Sequence, residues 1–172
     1  QNKNFDDFSR LNNLELLYTG ITRTPIIAIE KNLFVKGKEY KIIPEYFADM
    51  SDVYRIKKKI FAEIDIDETA DNRQKTFENS LRRLSRNIGL DYQKKKLSQL
   101  IDIANALENS QLENIFKNIK LMFKNYNLSQ NTTLILSGIG QDILEKYLSD
   151  KRIKVTLLKN LIDAENEKIK KR

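Results

Sequence analysis

Thr132-Thr133-Leu134-Ile135-Leu136-Ser137-Gly138-Ile139-Gly140 is the stretch that decides the fold class. Residues 132–136 are β-branched or aliphatic and read as a strand, Ser137 to Gly140 as a tight turn, and Gln141 to Leu148 as a helix. Arg152 to Leu158 reads as a further strand, and Asn160 to Arg172 as a polar tail with helical potential. Strand, Gly-x-Gly, helix, strand places the chain in the α/β class. In such proteins the turn brings backbone N–H groups and a helix N-terminus up to a phosphate or an adenosine, so Gly138 and Gly140 are candidate phosphate-binding residues. The third glycine of a dinucleotide fingerprint is missing, since Glu145 and Lys146 follow, and no Gly-Lys-Ser/Thr phosphate loop occurs. Use of a nucleotide stays open, and a plain β-to-α turn is the alternative reading.

Upstream, Leu97, Leu100, Ile101, Ala104 and Leu107 are helix-spaced, as are Leu112, Ile115, Phe116, Ile119 and Met122 beyond Asn109-Ser110. That pattern predicts a helical hairpin over 93–130. Thr76 caps an earlier helix with buried face Phe77, Leu81, Leu84 and Ile88, which Gly89 stops. Arg82, Arg83 and Arg86 lie together on it, either solvated or paired with the acidic loop before it; phosphate binding is the alternative. Ile60 to Lys75 has no helical period and reads as a loop. Pro44 starts a helix with Glu45 in its first turn, carrying Phe47, Met50, Val53 and Tyr54 on one stripe and reaching Lys57. Leu33–Val35 and Tyr40–Ile43 flank Lys36-Gly37-Lys38-Glu39 as a hairpin. Pro25 to Ile29 is a buried strand or a helix's first turns, and Leu14 to Thr19 reads as a strand. These strands are expected to build one sheet or lobe, with 14–19 and 132–136 in the same layer. The expected organisation is a substrate-site segment 1–92, the helical hairpin 93–130 and the strand–turn–helix–strand segment 131–172.

Three polar clusters fall within the first segment: Arg23-Thr24 before Pro25, Glu45 with Asp52, and Asp71 with Arg73. Pro25 biases Thr24 towards an extended conformation, presenting Arg23 and Thr24 from the end of a segment. On one helix Glu45 and Asp52, seven apart, would share a face. Asp71 and Arg73 sit in a loop between helices, where a scaffold often carries functional groups. Arg23, Thr24, Glu45, Asp52 and Asp71 are expected to converge on one site; a buried ion-pair network with capping is the structural alternative.

The 172 residues suit one domain with a real core or one lobe of something larger, at 40% hydrophobic and 32% charged. The chain has neither Cys nor His. There is therefore no thiol nucleophile, disulfide, Ser-His-Asp triad or conventional zinc site. Proton transfer falls to Asp, Glu, Lys or Tyr, and any metal is a hard ion on oxygen ligands. A net charge of +7 raises nucleic acid as a partner. Lys outnumbers Arg by 22 to 9 and its short runs are scattered, so nucleic-acid binding is disfavoured. No apolar run approaches the ~20 residues of a membrane span, so no membrane partner is expected and the cytoplasm is the expected location. Opening on Gln1 with a polar Asn-Lys-Asn, the chain reads as a piece of a longer polypeptide.

Gly20-Ile21-Thr22-Arg23-Thr24-Pro25, Glu45-Tyr46-Phe47-Ala48, Asp52-Val53, Ala70-Asp71-Asn72-Arg73, Arg83-Leu84-Ser85-Arg86 running to Asp91, and Leu136-Ser137-Gly138-Ile139-Gly140 occur in that order. Together they resemble the family of tetrahydromethanopterin-linked one-carbon-transfer pathway proteins. These are relatives of hydantoinase A and oxoprolinase, and the archaeal members act as methylofuran-precursor (furan-methanamine) synthases. The match spans Arg10 to Leu148. Two family features differ. The family's phosphate loops upstream of the Arg-Thr-Pro motif are missing, and Asn72 stands where Gly usually follows Asp. The resemblance implies the C-terminal part of an actin-like, sugar-kinase-like ATPase fold whose partner is its own N-terminal lobe. It also implies a cytoplasmic transferase that joins a phosphorylated aminomethyl-furan to γ-glutamyltyramine, these two being its small-molecule substrates.

Within that frame Arg23, Thr24, Arg73, Arg83, Gly138 and Gly140 bind substrate or phosphate. Among Glu45, Asp52 and Asp71 one accepts the phenol proton and another holds Mg²⁺, with Asp52 or Asp71 as the candidate metal ligand. This piece alone is expected to be inactive. The alternatives are an ATP-dependent ring-opening hydrolase of the hydantoinase or oxoprolinase type, and a basic helical module that binds RNA or an acidic partner.

Overall fold

Seven consecutive residues, Met50–Ile56, form helix α3, and all seven are buried. A helix buried on every side is a central element, and its polar members must find partners inside the protein. Asp49 caps it, its carboxylate accepting the amides of Ser51 at 2.8 Å and Asp52 at 3.4 Å. The computed structural model describes residues 6–61 and 63–163. In order, the chain forms α1 (Asp7–Asn12), α2 (Ile26–Ile29), β1 (Asn32–Val35), β2 (Lys38–Lys41), α3, α4 (Phe77–Asn87), α5 (Leu97–Asn125), β3 (Leu134–Leu136), α6 (Gln141–Asp150) and β4 (Val155–Leu157). This is a mixed α/β chain with small sheets. None of the described helices is long and apolar enough to cross a membrane.

The chain divides into two compact units, Thr19–Glu113 and a second built from Gln1–Tyr18 with Asn114–Arg172. In the first, α3 packs on α4. Ile26, Leu33, Met50, Val53, Leu81, Leu84, Leu100, Ile103 and Leu107 are buried there. β1 and β2 pair antiparallel, Leu33 opposite Tyr40. Their two-residue turn, Lys36-Gly37, has positive φ at both positions (49° and 76°), the mirror-image turn whose twist suits a hairpin. The Arg-Thr-Pro segment is pinned beside the start of α3. Pro25 bridges Asp49, and the Met50 amide donates to the Thr24 carbonyl at 2.9 Å. Thr76 caps α4 as its side chain accepts from the Asn79 amide. Gly89, at φ 68°, ends that helix, with the Leu90 amide reaching back to the Ser85 carbonyl. A buried glutamine on α5, Gln111, accepts from the Tyr54 hydroxyl at 2.7 Å and donates to Thr19 Oγ1 and the Gly20 carbonyl.

In the second unit β3, α6 and β4 form a β-α-β arrangement with parallel strands, Leu134 opposite Val155 and Leu136 opposite Leu157. Leu148 of α6 and Leu157 of β4 are buried, and Phe116 meets Tyr147 edge-on at 6.4 Å between ring centroids. The turn before α6 takes Gly138 to φ 89° and Gly140 to φ 93°. Glycine is the residue that occupies this left-handed region without steric cost.

Five expectations are corrected. Residues 14–19 form no strand, because Leu14 turns to φ 59° and the amides of Glu15 and Leu16 bond back to the Arg10 carbonyl at the end of α1. The sheet shared by 14–19 and 132–136 is therefore absent, and the described strands make two separate pairs. Pro44 and Glu45 lie in a bend, and the helix starts only at Met50, where Asp49 supplies the cap. No helical hairpin forms, because Leu97–Asn125 is one 29-residue helix about 43 Å long. Asn109 and Ser110 each weaken a helix by only about half a kcal/mol, and buried Leu107, Glu108, Gln111 and Leu112 on either side carry it through. The strand expected at 152–158 is shorter, since Arg152 sits at φ 61° and the chain is helical again over 158–163. The rest of the expected polar tail, 164–172, lies outside the described residues.

Leu107 is fully buried on α5, whereas Ile101 is more than one-third exposed. Leu107→Ala should cost about 2–5 kcal/mol and Ile101→Ala under about 1 kcal/mol. Urea denaturation of both variants checks the helix's orientation, and equal losses would contradict it.

Candidate functional site

Arg83 projects from α4 with no solvent exposure. Burial of a guanidinium is expensive unless carboxylates meet it, and two do. Its Nε lies 2.9 and 3.0 Å from the two oxygens of Asp52, and its Nη2 2.6 Å from Asp52 Oδ1. On the other side its Nη1 donates to Asp71 Oδ1 at 3.0 Å. Ser80, one turn earlier on α4, donates to Asp52 Oδ1 at 2.7 Å. Arg55, in the last turn of α3, adds bonds to Asp52 Oδ1 at 3.2 Å, Ser80 Oγ at 3.0 Å and buried Asp65 at 2.5 Å. Lys75 closes the far side by bonding the Asp65 carbonyl. The loop 57–76 is thus fastened to two helices by charge.

These contacts set the ionisation of the group. Burial pushes the Asp71 carboxyl up. Bonds from Arg83 and the Arg73 amide outweigh it and, with the charges of both arginines, hold the pKa below the ordinary carboxylate value. Asp49 goes the other way: burial raises it, and the nearby Asp52 charge adds to the rise, against bonds from Ser51 and Tyr46. The Tyr46 hydroxyl, 3.0 Å from Asp49, is raised by its own burial and by the Asp49 charge. For Arg83 burial lowers the pKa, but the bonds and charges of Asp52 and Asp71 more than compensate and leave it raised.

Asp52, Asp71 and Arg83, three of the candidate residues, therefore form one assembly. Arg73 stands at its edge, Nε 3.8 Å from Asp71 Oδ2. Asn72 takes φ 55°, a left-handed turn that Asn tolerates better than most other non-glycine residues. Thr24 stays local, its hydroxyl accepting the Gly20 amide at 2.8 Å. Arg23 is largely exposed and forks onto Asp67 at 2.8 and 2.9 Å. The Glu45 side chain is exposed, while its carbonyl accepts from Asn87 Nδ2 at 3.1 Å. Glu45 and Asp52 thus do not share a helix face. Gly138 and Gly140 belong to the other compact unit.

Asp52 and Asp71, the candidate Mg²⁺ ligands, meet across the guanidinium of Arg83, so a full positive charge already stands between them. Magnesium demands near-octahedral oxygen ligands, and both Asp52 oxygens are taken up by Arg83. Among the described residues no cluster of three acidic side chains is placed to hold a metal. The carboxylates as arranged do not fit a Mg²⁺ site.

Two members of the assembly escape the sequence reading. Arg55 lies off the apolar stripe of Phe47, Met50, Val53 and Tyr54, and Asp65 is one of five acids in the aperiodic loop 60–75. The signal for Arg55 was its spacing of three from Asp52, which puts both on one helix face. Nothing local separates Asp65 from Glu63, Asp67 and Glu68.

No family model matches the chain. It is similar to the (4-{4-[2-(gamma-L-glutamylamino)ethyl]phenoxymethyl}furan-2-yl)methanamine synthase of Methanocaldococcus jannaschii, 36% identical over 147 residues. It is also similar to the synthase of the same name from Methanococcus vannielii, 30% identical over 148 residues. Each match covers 86% of this chain; it covers 44% of the first relative and 65% of the second. The chain thus spans about half to two-thirds of the length of the relatives it matches.

Arg83→Met should destabilise by about 3–5 kcal/mol, because it leaves two carboxylates without their counter-ion, whereas Arg82→Met on the exposed face should change stability by under about 0.5 kcal/mol. Chemical denaturation compares the two, and similar losses would remove Arg83 from the centre of the fold.

The two shifted acids give opposite pH dependences. Asp71, with its folded pKa lowered, contributes stability that is complete above the unfolded carboxylate value and lost as pH falls through the folded one. Asp49, with its folded pKa raised, contributes stability at and below the unfolded value that is lost as pH rises through the folded one. Asn also caps helices, so Asp49→Asn should abolish the second loss while α3 persists. Thermal unfolding across mildly acidic pH reads it; an unchanged slope would refute the assignment.

Proposed function

We propose that this chain forms part of a transferase that makes an aryl ether in methylofuran biosynthesis, joining a phosphorylated aminomethyl-furan to γ-glutamyltyramine. The observation that carries this reading is the similarity, over 86% of the chain, to two synthases whose printed name describes that ether. In the reaction the phenol oxygen attacks the furan's CH₂ carbon. The bond from that carbon to the phosphate oxygen breaks, the phosphate or diphosphate leaves with the electron pair, and the phenol proton passes to a carboxylate.

That chemistry asks for fixed positive charge at the leaving group and a base at the phenol. Arg73 supplies exposed charge beside the half-buried Asp71. Arg83 holds that carboxylate in place and is itself out of reach of solvent. Glu45 is the candidate carboxylate that remains exposed, so we assign it the proton. Asp52, spent on Arg83, is a positioning residue. The Gly138–Gly140 turn ahead of α6 belongs to the other compact unit and stays a separate candidate phosphate-binding turn.

The test is the full-length polypeptide given γ-glutamyltyramine and the aminomethyl-furan as its monophosphate or diphosphate, with product mass read by liquid chromatography–mass spectrometry. The expected result is the ether plus free phosphate or pyrophosphate in equal amount, with Glu45→Gln lowering turnover by roughly 100-fold or more. Absence of the ether with both esters, or hydrolysis of hydantoin or 5-oxoproline in their place, overturns the reading.

A further inference from the structure

Three guanidiniums border one small depression beside the buried assembly. Arg82 and Arg86 are one helical turn apart on the exposed face of α4, so they project together. Arg73 reaches the same place from the loop after Asp71, and Leu90, Asp91 and Tyr92 close it from the segment after Gly89. Its volume is about 170 Å³, well below the ~300 Å³ where drug-sized pockets begin. It therefore suits a small anion with a short attachment.

The arginines are gathered without being used up. Arg73 Nε lies 3.8 Å and Arg86 Nη1 4.0 Å from Asp71 Oδ2, too far for hydrogen bonds. That buried oxygen has no hydrogen-bond partner. Its charge draws both guanidiniums inwards and leaves their donors available. Arg82 pairs with Glu78 at 2.8 Å on the surface, a contact of little energetic weight. Its guanidinium carbon lies 5.5 Å from the centre of the Tyr92 ring, which braces it.

We propose that Arg73, Arg82 and Arg86 form a binding site for the phosphoryl group of a small phosphorylated amine, whose ammonium is received by Asp91 in the same wall. Planar guanidinium forks match phosphate oxygens in pairs, and three of them suit a group with two or three negative charges better than a carboxylate. Asp91 repels a polyanion, which argues against a nucleic-acid strand in this depression. The identity of the amine as the aminomethyl-furan substrate rests on the transferase reading above; the existence of an anion site does not.

Calorimetry at fixed ionic strength, with sodium pyrophosphate and separately with the aminomethyl-furan monophosphate, tests this on the intact chain. Both should bind. The double variant Arg82→Ala/Arg86→Ala should lose about tenfold or more in affinity for each, as loss of charge-assisted bonds implies, with circular dichroism and melting temperature unchanged. Asp91→Asn should weaken the aminomethyl-furan ester and leave pyrophosphate unaffected or tighter. No binding of pyrophosphate by the unaltered chain, or equal binding by the double variant, overturns the site. Equal binding of the ester by Asp91→Asn overturns the ammonium contact. Binding that behaves as expected in a polypeptide that forms no ether keeps the site and overturns the transferase reading.

Discussion

The guanidinium of Arg83, itself fully buried, touches Asp52 on α3, Asp71 in the loop and Ser80 on its own helix. A buried ion pair of this kind is seldom a large net source of stability, because desolvation cancels much of the attraction. Its consequence is specificity. Once Arg83 is inside, α3 must present Asp52 to α4, and the loop must return Asp71 to the same point, or a charge is left bare. Registers of α3 against α4 that separate these groups are penalised far more than one lost apolar contact would be. Arg55 and Asp65 repeat the device within the same unit, linking α3 to an earlier part of the same loop. Hydrophobic burial supplies the driving force here, and the charges select the arrangement.

The same constraint shapes the surface. Asp71 gives one oxygen to Arg83 and keeps the other close to Arg73 and Arg86. An interior contact thus organises two exterior cations. Long arginine side chains ordinarily wander among rotamers at a cost to any ligand that must fix them. Here part of that ordering is already done by a carboxylate bonded to Arg83, which lowers the cost of gathering charge around an anion. Lys, a flexible point charge, would gain less from such an anchor than Arg's rigid fork does.

What the sequence made legible follows the range of the interactions involved. Thr76 as a cap, Lys36-Gly37 as a hairpin turn, Gly89 as a helix end and the strand–turn–helix–strand after Thr133 are all decided within a few residues, and all are present. Residues 14–19 and 44–49 were misread because apolar periodicity and Pro placement describe what a segment can do. Leu14's left-handed turn and Asp49's stronger cap decide what these segments actually do. The continuity of α5 turned on burial of Glu108 and Gln111, two polar residues that pattern reading assigns to a solvent face. Glu108 is buried because Lys57 and Lys59 reach it at 2.7 and 2.5 Å. In the candidate site the residue types were legible, but their division of labour was not. Asp52, Asp71 and Arg83 came out as one group and Arg23 paired with Asp67, because pairing across 12 to 44 positions leaves no local trace.

Under the ether-forming reading, the groups proposed within these 172 residues need neither His nor Cys. Displacement at a furan-bearing CH₂ needs a leaving group stabilised from the start, and guanidiniums are charged at every physiological pH. No acid has to be tuned near neutrality to protonate a phosphate that already departs as an anion. The demanding proton is the phenol's, with an ordinary pKa of about 10. A carboxylate can accept it late, as the new carbon–oxygen bond forms and the phenol oxygen becomes more acidic. In that reading the group that takes the proton must be within reach of the substrate, which suits an exposed carboxylate, while strongly bound carboxylates serve as anchors. That is how Glu45 differs from Asp52 and Asp71, and it ties the buried charge network to geometry and the exposed groups to chemistry.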